Sequence, residues 1–432
     1  MSRVTQELSG NSLINYQRNL EGTVRFRAQS NSDFSRMSKS LTIGATEVGF
    51  RNRRSVIGLY AGSVFLYWIS LYLYVPTLPI YAQSKTNSLA VVGLILSMYG
   101  LWQAVIRLPY GMTADWLRCR KPLILVGAGL AGLGSWIMGM AVSANELMVG
   151  RAITGFAACA WVPFVAVFSS LFPRDEAIRA TILLTLISNV GQMLAMSVTG
   201  WLNELGGYPL AFNLASGAAL LAILILLPAK EERFPPQQLS IRSFGRLITR
   251  RDVLVPSLLA AVSQYARYAT VYGFLPILAR QLGATDVTQS ILAVLSIGVA
   301  TLGNLMSTAF VKRIGSRSLV YLSFLLISVG MGGATLASSL SIVFFAQFCI
   351  GLSQGIGYPV LMGMSIELVE NPERTTAMGL HQAVYAIGMF AGPWVSGMLV
   401  DAIGIHEMFG VTGFACFVLG MLGALKLTKG RK

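Results

Sequence analysis

Charge is what this sequence has least of. Only 12% of its 432 residues are Asp, Glu, Lys or Arg, about half the share usual in soluble domains. A water-soluble globular fold of this length is a poor match to that figure. Histidine occurs twice and cysteine four times, at Cys119, Cys159, Cys349 and Cys416, with neither metal-ligand spacing nor a disulfide framework among them. The glycine-rich phosphate loop ending in Lys-Ser/Thr is missing, as is any nucleophile–base grouping. No metal, no cofactor, no ATP hydrolysis and no enzyme chemistry are expected.

Apolar residues fill the space instead, at 54% of the chain, in runs long enough to cross a bilayer. The pattern predicts an all-α membrane protein of twelve transmembrane helices, at about 56–82, 88–112, 122–142, 146–171, 180–205, 209–229, 253–281, 286–311, 318–339, 342–369, 376–400 and 405–426. Residues 1–52 are polar, lack a signal-peptide core and read as a largely disordered cytoplasmic extension. Residues 53–229 form a first bundle of six helices, 230–252 a cytoplasmic linker, 253–426 a second bundle and 427–432 a tail.

A net charge of +15 would suit nucleic acid, so placement must decide. With both termini inside, the cytoplasmic segments hold 28 of the 33 Lys and Arg residues. Of the rest, Lys85 and Arg280 lie in outer links and Arg107, Arg151 and Arg267 within helices. This is the positive-inside bias of a multi-pass protein of the cytoplasmic membrane. Nucleic-acid binding is not expected, and the partners are the lipid bilayer and a small solute.

The two halves repeat. Near an offset of 197, "LPI" at Leu78–Ile80 falls on "LPI" at Leu275–Ile277, Gly191 and Gly200 fall on Gly388 and Gly397, and Arg120 falls on Arg317. With one residue less, Gly155 and Pro163 meet Gly351 and Pro359. One shared offset across four helix pairs points to duplicated bundles.

The link "RLPYGMTADWLRCRKPLILVG" after the second helix then resembles a signature of the major facilitator superfamily, Gly-x-x-x-Asp-x-x-Gly-[Arg/Lys]-[Arg/Lys]. Gly111, Asp115 and Arg120 stand in register, while Arg118 replaces the usual glycine and Cys119 a cation. In that family the aspartate caps the facing end of a helix in the other half and pairs with arginines. The resemblance therefore implies a cytoplasmic gate of Gly111, Asp115, Arg118 and Arg120, with Arg107 beside it. "LMVGRAITGFAACA" resembles the fourth-helix pattern Leu-x-x-x-Arg-x-x-Gln-Gly through Leu147, Arg151 and Gly155, with Thr154 in place of Gln. In proton-coupled exporters of the drug/proton-antiporter kind, that arginine is associated with proton transfer. Their fifth-helix Gly-Pro is absent here, where Ala195-Met196 stands; the repeat-related helix carries Gly392-Pro393.

A charge at membrane depth is costly, so each one is a functional candidate. Arg267 lies deepest, no carboxylate shares its level, and it is expected to face a water-filled cavity with Gln264 on its face. Tyr67, Tyr74 and Tyr81 form one stripe of the first helix and Trp68 and Tyr72 a second row; Tyr67 and Tyr74 are ranked above Tyr60 and Tyr81. Gln103, Asn189, Gln192 and Gln354 complete the substrate candidates. Arg151, Glu367 and His381 are the coupling candidates, the last two near the inner helix ends and equally compatible with a solvated role. The expected protein is a monomeric secondary transporter working by alternating access, with proton-linked export of an amphipathic or weakly anionic compound. Uptake of a nutrient organic anion is the alternative transport reading. Lipid handling or a non-transporting membrane sensor is the alternative of another class.

Overall fold

Proline and glycine decide where the apolar runs break into helices. The structure is a computed structural model describing residues 53–117, 119–173, 176–229, 245–370 and 373–427. Leu59–Lys432 forms one compact unit. The expected first helix is α1 (Arg53–Tyr72), a turn at 73–77 and α2 (Leu78–Gln83). Pro76 lacks an N–H and crowds the carbonyl four residues back, so regular helix ends at Tyr72. Then come α3 (Leu89–Leu117), α4 (Lys121–Met140), α5 (Ala144–Ala157), a 3-10 turn (Ala158–Ala160), and α6 (Trp161–Ser170).

The expected fifth and sixth helices are α7 (Ala177–Leu226), which turns back where Gly206 (φ −145°) and Gly207 (φ 69°) leave helical geometry. A positive φ is cheap only without a Cβ. In the second half, α8 (Arg251–Ala269) passes through a π-helical turn (Thr270–Phe274) into α9 (Leu275–Gln281). There follow α10 (Asp286–Ile314), α11 (Ser316–Thr335), α12 (Leu340–Glu367), α13 (Arg374–Ile403) and α14 (Ile405–Leu425).

Among the described residues ten helices are long and apolar enough to cross a membrane. The long α7 accounts for two of the expected crossings. The α8–α9 segment is not among the ten, since α8 alone carries Arg251, Asp252 and Arg267.

The repeat is visible in three dimensions. The break at 73–77 and the π-helical turn at 270–274 are 197 residues apart, the offset of the sequence repeat. A Cβ at Gly155 would meet Tyr99, and one at Gly351 would meet Ser296. Gly191 lies against the Phe65 carbonyl and Gly388 against that of Ala261. Gly200 abuts the start of α10 at Asp286 and Val287, and Gly397 the start of α3 at Leu89 and Ala90. Basic residues seal the helix ends alike. Lys121 Nζ donates to the carbonyls of Leu227 and Ala229 at 2.7 and 2.6 Å, and Arg317 to those of Ala424 and Leu425 at 2.8 and 2.7 Å. Each satisfies carbonyls that a helix end leaves open.

Candidate functional site

Successive helices join alternately at two faces. One, called distal here, holds the start of α3 and the end of α13; the other holds the turn between α3 and α4. At the distal face the halves are tied through helix starts, whose first N–H groups have no partner within the helix. The Asp401 carboxylate, on α13, accepts from Leu89 N and Ala90 N at 2.9 Å each and from Ser88 Oγ at 2.7 Å. It also lies at the positive end of the α3 dipole. The repeat-related tie joins α7 to α10: Asn203 donates to Asp286 Oδ2 and Thr77 Oγ1 at 2.9 Å each, and Gly200 N donates to Ser290 Oγ at 2.8 Å. Behind Asp401, a Cβ at Gly93 would overlap the Pro393 carbonyl oxygen, so α3 and α13 touch backbone to backbone.

Deeper in the seam between the halves stand three arginines with aromatic partners. The Arg151 guanidinium lies 4.2 Å from the centroid of the Tyr99 ring. Tyr99, of the first half, faces Tyr268, of the second, with centroids 6.5 Å apart and planes 18° from parallel. Tyr268 packs on Tyr272 at 5.0 Å, and Arg267 donates to Tyr272 Oη at 2.9 Å. Arg107 crosses the seam to donate to Tyr385 Oη at 2.7 Å. Arg107 Nε, Arg151 Nε and Nη1 and Arg267 Nε are buried without a hydrogen-bond partner. Among the described residues the one buried carboxylate is Glu373, paired with Arg246 in the linker. The three cations rest on ring faces and hydroxyls. A desolvated cation–π contact contributes about 2 kcal/mol, comparable with the ~3 kcal/mol that an arginine costs at the bilayer centre.

A cavity lined by Leu71, Tyr72, Val75, Tyr99, Arg151, Tyr268 and Tyr272 lies at the Tyr99–Tyr268 stack. It has room for about one water molecule. A second, lined in part by Gln289, Ala293 and Gln347, lies beside it. Gln347, the repeat partner of Arg151, donates to the Leu292 carbonyl at 3.0 Å.

Several expected positions move. Arg267 was expected to face a water-filled cavity with Gln264 on its face; its hydrogen-bond partner is Tyr272, which lines the cavity. The π-helical turn at 270–274 widens the helix and brings a residue five positions on to the arginine's face. Of the two rows on the first helix, it is Tyr72 and not the candidates Tyr67 and Tyr74 that reaches the cavity lining. Tyr67 Oη donates to the Ala157 carbonyl at 2.7 Å, where α5 becomes a 3-10 turn, and Tyr74 stacks on Phe212 at 4.6 Å; Tyr72 lines the cavity. His381 is fully buried against Ser257 Oγ at 3.1 Å, whereas Glu367 is exposed, so they form no pair and His381 has no solvated role.

Gln103 bonds its own helix at the Tyr99 carbonyl, Gln354 reaches Ser263, and Gln264 is buried with its side-chain oxygen unpartnered. Asn189 and Gln192 are half-buried on α7 away from the cavity lining. Of the expected gate, Gly111 lies on α3 near Val162 and Arg120 is buried at the start of α4. The Asp115 side chain and the whole of Arg118 lie outside the described residues. Tyr99, Tyr385, Asn203, Asp286 and Asp401 were not singled out from sequence; for Tyr99 the close approach of Gly155 was the available signal.

A family model described as the Major Facilitator Superfamily matches residues 60–266 and 257–432. An uncharacterised MFS-type transporter of Methanocaldococcus jannaschii is 20% identical over 390 residues, 86% of this chain and 100% of its own. The multidrug resistance protein MdtH of Aeromonas salmonicida is 26% identical over 351 residues, 78% of this chain and 84% of its own. A bacterial homologue of the human lysosomal transporter Spinster, solved in an inward-facing and unoccupied conformation, has the same fold. Its TM-score is 0.74 at 16% identity, covering 88% of this chain and 98% of that one.

Proposed function

This chain belongs to the Major Facilitator Superfamily, and on that premise we propose that it moves a small organic solute through the seam between its halves by alternating access. The observation that carries the reading is the closure of the distal face. Polar ties and backbone contact hold the halves together at the distal face, around a central site that crosses from one half to the other. Orientation follows from the positive-inside bias, which puts the distal face outside and both termini in the cytoplasm. The conformation is then the outward-closed one.

Buried Arg107 and Arg151, the half-buried Arg267 and no neighbouring carboxylate among the described residues favour an amphipathic or weakly anionic solute over a cation. Export is the proposed direction, in keeping with the multidrug resistance proteins among the relatives. Uptake of an organic anion would use the same arginines. A proton link would draw on His381, whose Nε2 is buried and unpartnered, and on Arg151.

The test is a panel of organic acids and organic cations added to proteoliposomes that contain a trapped pH dye. Acids are expected to drive proton movement dependent on the protein, and a response to cations alone would remove the anionic reading. Running the panel with the pH gradient in both senses assigns direction.

A further inference from the structure

The seam contains an arginine whose surroundings do not account for it. Arg151 is 4% exposed, lines the central cavity, and has two guanidinium nitrogens, Nε and Nη1, without a partner. What it does have is the face of Tyr99 and the neighbouring hydroxyl of Tyr74. A buried donor left unmade costs about 1–3 kcal/mol, more when charged, so these nitrogens favour an added acceptor. The acceptor that best suits a cation is a small anion.

The neighbouring rings specify what the anion is attached to. Tyr99 and Tyr268 belong to opposite halves and are near parallel, with centroids 6.5 Å apart. An aromatic ring held between two others needs about 7 Å, two contacts of roughly 3.5 Å each. The centroid separation, an upper limit on the gap between near-parallel faces, falls short of that, and movement of one half against the other changes this distance directly. Tyr72 and Tyr272 supply further aromatic surface at the cavity, and Leu71 an apolar wall. Flat rings fit such faces better than bulky aliphatic groups do.

We infer that the central site takes a planar aromatic monocarboxylate, its ring between Tyr99 and Tyr268 and its carboxylate on the free nitrogens of Arg151. This rests on the alternating-access reading and names its substrate class. A single negative charge matches the one cation in the lining, and a charge-assisted bond of this kind is about twice as strong as a neutral one. Binding would place a wedge between the halves and so oppose their closest approach.

Calorimetric titration of the purified full-length chain in detergent tests this, with four probes: 2-naphthoate, 2-naphthol, 2-naphthylmethylamine at a pH where it is cationic, and cyclohexanecarboxylate. 2-Naphthoate should bind at least about tenfold more tightly than each of the others, a difference near 1.4 kcal/mol. Arg151→Gln should remove the preference of naphthoate over naphthol, Arg151→Lys should retain part of it, and Tyr268→Ala should weaken both naphthyl ligands. Each variant is first checked for monodispersity and melting temperature. Should Arg151→Gln fail that check, the probe ranking and Tyr268→Ala decide alone.

Equal affinity for naphthoate and cyclohexanecarboxylate, preference for the amine, or an unchanged preference in folded Arg151→Gln would each overturn the inference. If naphthoate fails while another solute drives transport, the substrate class falls and the transporter reading stands. If naphthoate binds at Arg151 and no solute of either charge is moved, the transporter reading falls instead.

Discussion

Asp401 of one half caps the first turn of α3 in the other, with its carboxylate 2.9 Å from the Leu89 amide nitrogen. A cap of this kind normally comes from the residue just before the helix; here it is supplied across the seam, so helix capping and closure are one event. When the halves part, Leu89 N, Ala90 N and Ser88 Oγ all lose their acceptor.

Asp401→Ala should therefore loosen the distal face without unfolding either half. Loss of a cap costs about 1 kcal/mol, which predicts roughly a fivefold rise in the open population. The readout is a membrane-impermeant maleimide applied to Ala293→Cys, a position 8% exposed and lining the cavity beside the seam. Labelling should quicken about fivefold over the Ala293→Cys parent. An equal rate in both would mean that Asp401 closes nothing.

The glycine at position 93 makes a sharper version of the same case. Its Cα faces Pro393 so closely that an added methyl group has no place while α3 and α13 are in contact. Gly93→Ala should hold the distal face apart and raise Ala293→Cys labelling more than Asp401→Ala does. Gly298→Ala is the control, since a Cβ there meets nothing within 4 Å. It should leave labelling unchanged and, as a helical Gly→Ala change, add up to about 1 kcal/mol of stability.

How much of this could be read beforehand depends on whether the cause is local. The duplication was legible at Gly200 and Gly397, because close helix contact requires glycine at matched positions, and each does abut the start of the related helix. The break after Tyr72 was within reach, since Pro76 lies four residues on, yet the apolar run hides it. The partner of Arg267 was not legible. α-Helical spacing puts Val271 on its face, and only the π-helical turn brings Tyr272 round. Asp401 reads in sequence as an ordinary acid at a helix end, and its role comes wholly from a helix more than 300 residues earlier in the chain. The lone acid that sequence did single out, Asp115, is in α3, but its side chain lies outside the described residues.

The paired seals at Lys121 and Arg317 should behave as structure and not as gate. Each bonds carbonyls at the end of a helix in its own half, Leu227 and Ala229 for one, Ala424 and Leu425 for the other. Lys121→Met and Arg317→Met should each cost about 1.5–3 kcal/mol, the range for hydrogen bonds to charged groups. This should appear as a lower melting temperature in detergent, with distal labelling of Ala293→Cys unchanged. A change in labelling with no loss of thermal stability would reassign these residues to the gate.

Tyr385 and Tyr272 give the most discriminating comparison, because the same chemical change is made to two arginine partners that differ only in what they join. Tyr272 accepts from Arg267 five residues away in the same segment, while Tyr385 accepts from Arg107 across the seam. Replacing either by Phe leaves the ring and removes the acceptor, stranding a buried guanidinium donor at a cost of about 1–3 kcal/mol or more. For Tyr272→Phe that cost is present whether the halves are together or apart, so stability should fall and Ala293→Cys labelling should hold. For Tyr385→Phe the bond exists only while α3 and α13 meet. The loss should therefore fall only on states in which α3 and α13 meet at this level, with labelling changed by fivefold or more (about 1 kcal/mol per factor of five) and melting temperature little changed. The reverse pattern, Tyr272→Phe altering access and Tyr385→Phe altering only stability, would show that Arg267 and not Arg107 carries the coupling between the halves.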